Sequence, residues 1–205
     1  SKKKDIGIKT GVNVNILAIS AKNINKKRNF KFSKKIFYKN PIYIAKDPKI
    51  DIVFELIGYS DGLSKKVVEL ALKNKKHVIT ANKALIAKNG DYLSLLAEKN
   101  KVNLEFEASV GGGIPILRTI KEGLATNKIN KVVGILNGTC NYILSKMESS
   151  KDSFANVLRK AQILGYAEPR DPRFDLNGYD TLAKVRILSA LVFNNKISKN
   201  NCIFE

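Results

Sequence analysis

The sequence predicts an α/β fold built on a doubly wound parallel sheet, and three observations carry that expectation. Short apolar runs bounded by turn residues recur at 51–58, 77–81 and 101–108. Segments with apolar residues at helical spacing stand between them, at 63–76 and 82–100. The resulting order of strand, helix, strand, helix, strand is that of βαβ units, whose strands are buried on both faces and read as near-continuous apolar runs.

The elements follow in order. "VNVNILAI" (12–19) alternates and then turns apolar, which predicts a strand. "DIVFELIG" (51–58) is an apolar run ending at Gly58, a buried strand of the parallel type. "LSKKVVELALKNKK" (63–76) repeats apolar residues at Leu63, Val67, Leu70 and Ala71, one face of a helix. "HVITA" (77–81) is a strand. "NKALIAKNGDYLSLLAEKN" (82–100) is a helix with an expected irregularity at Asn89-Gly90, and "KVNLEFEA" (101–108) closes the series.

After residue 108 the pattern changes. "VGGGIPILRTIKEGLATNK" reads as a glycine turn followed by a helix. "INKVVGILNGTCNYILSKME" reads as a strand, placed at 128–136, then a turn at Asn137-Gly138 and a helix capped by Thr139. "SFANVLRKAQIL" (153–164) is a helix with Ser153 as its cap, and 176–195 holds a long helix. The expected division is a partial dinucleotide-binding part at 1–107 and a second part, with its own sheet, at 108–205. No GxGxxG turn precedes the first recognisable strand. The chain lacks an initiator Met and stops at "NNCIFE", which reads as the middle of a strand. A fragment cut at both ends is the expectation.

Composition excludes several classes. Of 205 residues, 44% are apolar, which suits a globular chain with a core. No apolar run approaches the roughly 20 residues of a membrane span. No apolar segment follows Ser1-Lys2-Lys3-Lys4, so no signal peptide is read. Cys140 and Cys202 match no metal spacing, and a reduced, cytoplasmic chain is expected. The net charge of +19 suggests a basic nucleic-acid-binding protein, the competing class. Yet Lys outnumbers Arg 31 to 6, and Lys, Asn and Ile together make up 75 residues, a bias expected of AT-rich codons. The lysines are dispersed, without the arginines and interleaved aromatics that read bases. Neither nucleic acid nor a membrane is an expected partner.

One stretch concentrates chemistry. "LGYAEPRDPRFDLNGYDTLAKVRIL" (164–188) passes Glu168, Asp171, Asp175 and Asp180 before Lys184. Asp180 and Lys184 stand at i and i+4, on one helix face. The simple reading is a surface ion pair contributing about a few tenths of a kcal/mol. Against it, Lys184 is flanked by apolar Ala183 and Val185, and Gly178 lets backbone approach a ligand. The massed carboxylates suit a small cationic substrate. A lysine beside an aspartate on a partly buried helix can serve as general acid or base.

This stretch resembles the substrate signature of the homoserine dehydrogenase family. The resemblance extends to "VITANKALIA" (78–87), "FEASVGGGIPI" (106–116) and "ILNGTCNYIL" (135–144), in the right order over about 51–193. It implies a truncated Rossmann-like domain followed by an α+β substrate and dimerisation domain. It also implies exchange of L-homoserine with L-aspartate 4-semialdehyde through hydride transfer with NAD or NADP, and a homodimer in the parent protein. Another dehydrogenase of a small amino acid is the nearest alternative. By resemblance, the catalytic lysines fall on Lys184 and Lys83. Substrate positions fall on Glu168, Asp180, Asp175, Tyr166, Gly138 and Thr139, and cofactor positions on Ile57, Gly58 and Lys83. A monovalent-cation loop, for Na+, falls on Glu107, Val110, Gly112 and Ile114; a glycine hinge explains the same residues without an ion. "EPRDPRFD" is one residue longer than the family's usual loop, which puts the placement of Glu168 and Asp175 in question. No acid ends the strand at 12–19, whereas Lys22 and Arg28 suit a 2′-phosphate, which favours NADP. His77 is read as a surface residue.

Overall fold

The computed structural model describes residues 2–169, 171–194 and 202–203. In order they form α1 (Lys3–Thr10), β1 (Ile19–Ser20), β2 (Phe37–Tyr38), α2 (Ile42–Lys46), β3 (Ile52–Glu55), α3 (Leu63–Lys73), β4 (His77–Thr80), α4 (Lys83–Lys99), β5 (Leu104–Glu105), α5 (Ile116–Arg118), α6 (Gly138–Ser150), α7 (Phe154–Ile163), α8 (Arg173–Leu176) and α9 (Tyr179–Phe193). A 3-10 turn at Glu107–Ser109 follows β5, and a π-helical turn at Thr119–Gly123 continues α5.

β3, β4 and β5 make a parallel sheet in that order, with Glu55 opposite Thr80 at the carboxyl ends of β3 and β4. α3 lies between β3 and β4 and buries Val67, Val68, Ala71 and Leu72. α4 buries Leu85, Ile86, Leu93 and Ala97. α3 and α4 pack against each other over the buried residues Val53 and Val78 in one core, which α9 joins with Ile187 and Leu188. Ile52 and Phe54, which alternate with the buried residues of β3, are exposed, so this strand is not buried on both faces as expected. A separate, smaller core of Ile143, Val157, Ala161 and Ala167 holds α6 to α7. α9 returns onto α4, and this packing builds the site.

Several expectations change. Only Ile19 and Ser20 of the segment 12–19 enter a ladder, parallel to Phe37 and Tyr38; Val12, Val14, Ile16 and Leu17 remain exposed. α1 forms where no element was expected, and it buries nothing. Residues 128–136 are not a strand: no ladder pairs them, and Val133 and Ile135 are exposed. Among the described residues the second part therefore has no sheet of its own. α4 runs unbroken through Asn89-Gly90. The cap of α6 is Asn137 rather than Thr139, for the Asn137 side chain accepts from the Cys140 N–H at 2.8 Å. Ser153 caps α7 as expected, accepting from the Asn156 N–H. α9 begins after Gly178, whose φ of 73° suits a glycine, and the strand expected at "NNCIFE" falls largely outside the described residues.

Candidate active site

Asp180 is the centre of the site. It lies in the first turn of α9 and is only 2% exposed. Its Oδ2 receives Lys184 Nζ at 2.6 Å across one helical turn. Its Oδ1 receives Lys83 Nζ, from the first residue of α4, which follows the carboxyl end of β4. One carboxylate therefore bridges two ammonium groups brought together by the packing of α9 on α4. Burial pushes the Asp180 carboxyl up. Hydrogen bonds from Lys184, Lys83 and Asn137, with the charge of Lys83, more than reverse that and hold it below the ordinary aspartate value. Lys184 also donates to the Leu136 carbonyl, so its ammonium is fixed from two sides.

Asn137 joins this centre to a second carboxylate. Its Nδ2 donates to Asp180 Oδ2 at 3.0 Å and to Asp175 Oδ1 at 2.9 Å, while its Oδ1 caps α6. Thr139 Oγ1 lies 3.2 Å from Asp175 Oδ2 and donates to the Tyr166 carbonyl. The Tyr166 ring stacks on Tyr142 at 4.6 Å. Phe174 faces Lys83, whose Nζ lies 5.9 Å from the ring centroid. Burial pushes the Cys140 thiol up, and the carboxylates of Asp175 and Asp180 add to the shift.

The structure thus gathers Lys83, Lys184, Asp180, Asp175 and Thr139, with Gly138 opening α6 beside them. It does not bring Glu168 into the cluster. Glu168 is exposed, and its described contact is its carbonyl, which accepts from Gln162. Ile57 and Gly58 lie in the loop after β3, and both backbone N–H groups donate to Glu55. Gly58 has a φ of 88°, and a Cβ there would meet nothing within 4 Å, so the loop leaves room for a ligand.

The loop read as a cation site is arranged otherwise. Glu107 accepts from the N–H groups of Leu117 at 2.9 Å and Arg118 at 2.8 Å, closing the start of α5. The Ile114 carbonyl accepts from the Ile116 N–H, Val110 is buried, and Gly112 sits between the positive-φ residues Gly111 and Gly113. Two of the four expected oxygen donors are turned to N–H groups. These contacts form a glycine turn that closes a helix, and each accepting oxygen keeps a further lone pair. Arg28 is likewise committed: its guanidinium donates to the carbonyls of Asn23, Ile24 and Lys26. Lys22 is exposed, and His77 Nδ1 accepts from the Asn103 N–H at the sheet's far end.

Two residues escaped the reading of the sequence. Asn137 looks like a turn residue, and only its place before Gly138-Thr139 hints at a cap. Glu55 is a carboxylate inside an apolar strand run, and that anomaly is the available signal.

A parallel sheet with polar side chains gathered beyond its strand ends is the architecture of the dinucleotide-binding α/β class. Comparison makes this specific. Residues 2–107 match the family profile described as homoserine dehydrogenase, NAD binding domain, and residues 115–205 match the homoserine dehydrogenase profile. The chain belongs to the homoserine dehydrogenase family. It is 46% identical to the homoserine dehydrogenase of Neisseria gonorrhoeae over 82% of this chain and 38% of that protein. It is 42% identical to that of Bacillus subtilis over 91% of this chain and 43% of that protein. The crystal structure of a homoserine dehydrogenase from Thiobacillus denitrificans superposes with a TM-score of 0.82 at 40% identity, covering 93% of this chain and 44% of that one. A hyperthermophilic archaeal homoserine dehydrogenase in complex with NADPH gives 0.70 at 25% identity, covering 95% and 55%. The chain spans about two fifths of the length of these curated relatives.

Proposed function

We propose that this chain forms the cofactor crevice and catalytic centre of an enzyme that interconverts L-homoserine and L-aspartate 4-semialdehyde, a step toward threonine, methionine and isoleucine. The observation that carries the reading is Asp180, buried between Lys83 and Lys184 beside the end of β4. Residues 1–107 are assigned to the NAD(P)-binding part and 108–205 to the catalytic part.

A bound nicotinamide supplies or accepts the hydride. The chain's own residues handle charge and protons. In the direction of reduction, Lys184 gives a proton to the carbonyl oxygen as that oxygen becomes an alkoxide. Asp180 holds the ammonium of Lys184 on one oxygen and that of Lys83 on the other. Asp175 and, by resemblance, the exposed Glu168 supply carboxylates for the substrate's ammonium. Gly138, Thr139 and Tyr166 line the same region. Ile57 and Gly58 present the loop that meets the cofactor, with Lys83 between cofactor and substrate.

NADP is the proposed cofactor. Support comes from Lys22, which is exposed where a 2′-phosphate would be met, and from the likeness to the archaeal enzyme in complex with NADPH. Arg28 lends no support, because its fork is committed to its own loop. A cytoplasmic homodimer is proposed for the parent protein. The exposed apolar residues Val132, Val133 and Ile135 are a surface such a dimer would cover. Among the described residues, no helix is long and apolar enough to cross a membrane.

The test is turnover by the full-length protein. NADPH oxidation with L-aspartate 4-semialdehyde, and NADP reduction with L-homoserine, are expected. Salt-sensitive DNA binding without either activity would favour the competing class instead.

A further inference from the structure

We infer that Glu55 is the positioning residue of the cofactor crevice, its buried carboxylate fixing the Ile57–Gly58 loop and tying it to the start of the helix that carries Lys83. The inference rests on the reading that this loop meets the dinucleotide.

Glu55 is 1% exposed at the carboxyl end of β3. Its Oε1 accepts from the N–H groups of Ile57 at 2.8 Å and Gly58 at 3.2 Å, and from the hydroxyl of Ser64. Its Oε2 accepts from the Thr80 hydroxyl at 2.7 Å. Both hydroxyls are oriented by Asn82. The Asn82 N–H donates to Thr80 Oγ1 at 2.9 Å, and Asn82 Nδ2 donates to Ser64 Oγ at 3.0 Å. Each hydroxyl therefore receives from Asn82 and gives its proton to Glu55. All the described partners of the carboxylate are donors, so it serves purely as acceptor.

A sheet does not need this arrangement. Burying a carboxylate without a cation is costly, and an apolar residue at the end of β3 would pack against α3 without that cost. Among the described residues no ion pair engages Glu55. What the carboxylate does secure is local and specific. The loop it holds contains two successive residues of positive φ, Gly58 at 88° and Tyr59 at 70°. Asn82 Nδ2 also donates to the Tyr59 carbonyl at 2.8 Å. The same Asn82 caps α4 through the Leu85 N–H and directly precedes Lys83. One polar network thus sets where the crevice loop stands relative to the lysine that reaches Asp180.

The experiment measures NADPH binding to the full-length protein by nucleotide fluorescence, alongside kcat and the KM for L-aspartate 4-semialdehyde. Glu55→Gln keeps the shape but turns an amide donor toward donors. It is expected to raise the NADPH Kd about tenfold or more while changing the KM for the aldehyde less than about threefold. A purely structural role would lower thermal stability and leave the Kd of the folded molecules unchanged, and that result overturns the inference. If Glu55→Gln does not fold, Ser64→Ala and Thr80→Val each remove a single donor. Each is then expected to raise the Kd about two- to fivefold; an unchanged Kd in both overturns the inference. Absence of NADPH binding by the unsubstituted protein would instead remove the crevice reading on which the inference stands.

Discussion

Two carboxylates, each almost fully buried, are held in opposite ways in the two parts of the chain. Glu55 in the amino-terminal part is held by hydroxyls and backbone N–H groups. Asp180 in the carboxyl-terminal part is held by two lysines and an asparagine. Uncharged donors give direction, so the first arrangement fixes a backbone. Ammonium groups give charge and exchangeable protons, so the second can take part in chemistry. Burial alone therefore does not identify a catalytic acid; the identity of the partners does.

The comparison is broken most severely at Lys184. Lys184→Ala in the full-length protein is expected to lower kcat by about two to four orders of magnitude, the range for a positioned general acid–base group. KM should move less, because this interaction strengthens as charge develops on the oxygen. Lys184→Arg should not restore the rate, since guanidinium does not give up its proton. Steady-state kinetics checks both; an unchanged kcat in Lys184→Ala would reduce the pair to a helix-surface contact.

Asp180→Asn comes next. Removing one partner of a buried charge cluster is expected to cost about 3 kcal/mol of stability at neutral pH. The pH dependence has a definite sign. Asp180 is held below its ordinary value in the folded chain, so its stabilisation is present above the ordinary aspartate pKa of about 3.9 and is lost as pH falls through the depressed folded value. Urea unfolding of the two proteins should therefore give a difference that is constant from about pH 5 to about pH 8 and shrinks below about pH 4. A difference that stayed constant into strong acid would show that charge is not what holds the centre.

Asn137→Ala is expected to be milder, about 1 to 2 kcal/mol, because it removes a cap and a donor shared by two carboxylates without removing a charge. Asn137→Asp should be worse than Asn137→Ala, since it sets a third carboxylate against Asp175 and Asp180. Equal unfolding midpoints for the two variants would contradict the donor role drawn from the 2.9 and 3.0 Å contacts.

The same contrast explains what the sequence could disclose. α3, α7 and α9 were legible because each buries a face at helical spacing, and the Asp180–Lys184 pair because i and i+4 share a face. Lys83 reaching Asp180 was not readable from spacing, for it depends on packing between residues 97 positions apart; resemblance named both lysines without their geometry. The segment 12–19 has the composition of a strand, yet its apolar residues find no ladder until Ile19. Val132, Val133 and Ile135 failed in the same way, for strand composition forms a strand only where a partner edge exists. Glu168 looked equivalent to Asp175 in a run of acids, and only the turn at α8 separates them. Asn137 and Glu55 were invisible because their work is done by hydrogen-bond direction, which composition does not record.

The smallest expected effect probes the charged half directly. Cys140 lies in the first turn of α6, where burial, then Asp175, then Asp180 raise its thiol above the ordinary value. Its reactive thiolate should therefore form at higher pH than that of an unhindered cysteine. Alkylation by iodoacetamide, followed on the Cys140 peptide by mass spectrometry, should show a rate–pH midpoint displaced upward. Asp175→Asn should move that midpoint down, because it removes the nearer negative charge while leaving burial in place. Glu55→Gln should leave it where it was, for Glu55 is not among the groups that shift the thiol. The midpoint is the proper readout, since hindered access slows the reagent at every pH, whereas desolvation and charge move the curve along the pH axis, and Asp175→Asn changes the charge. A midpoint unmoved by Asp175→Asn would mean that burial alone sets the thiol. The field ascribed to the two aspartates would then not reach the first turn of α6.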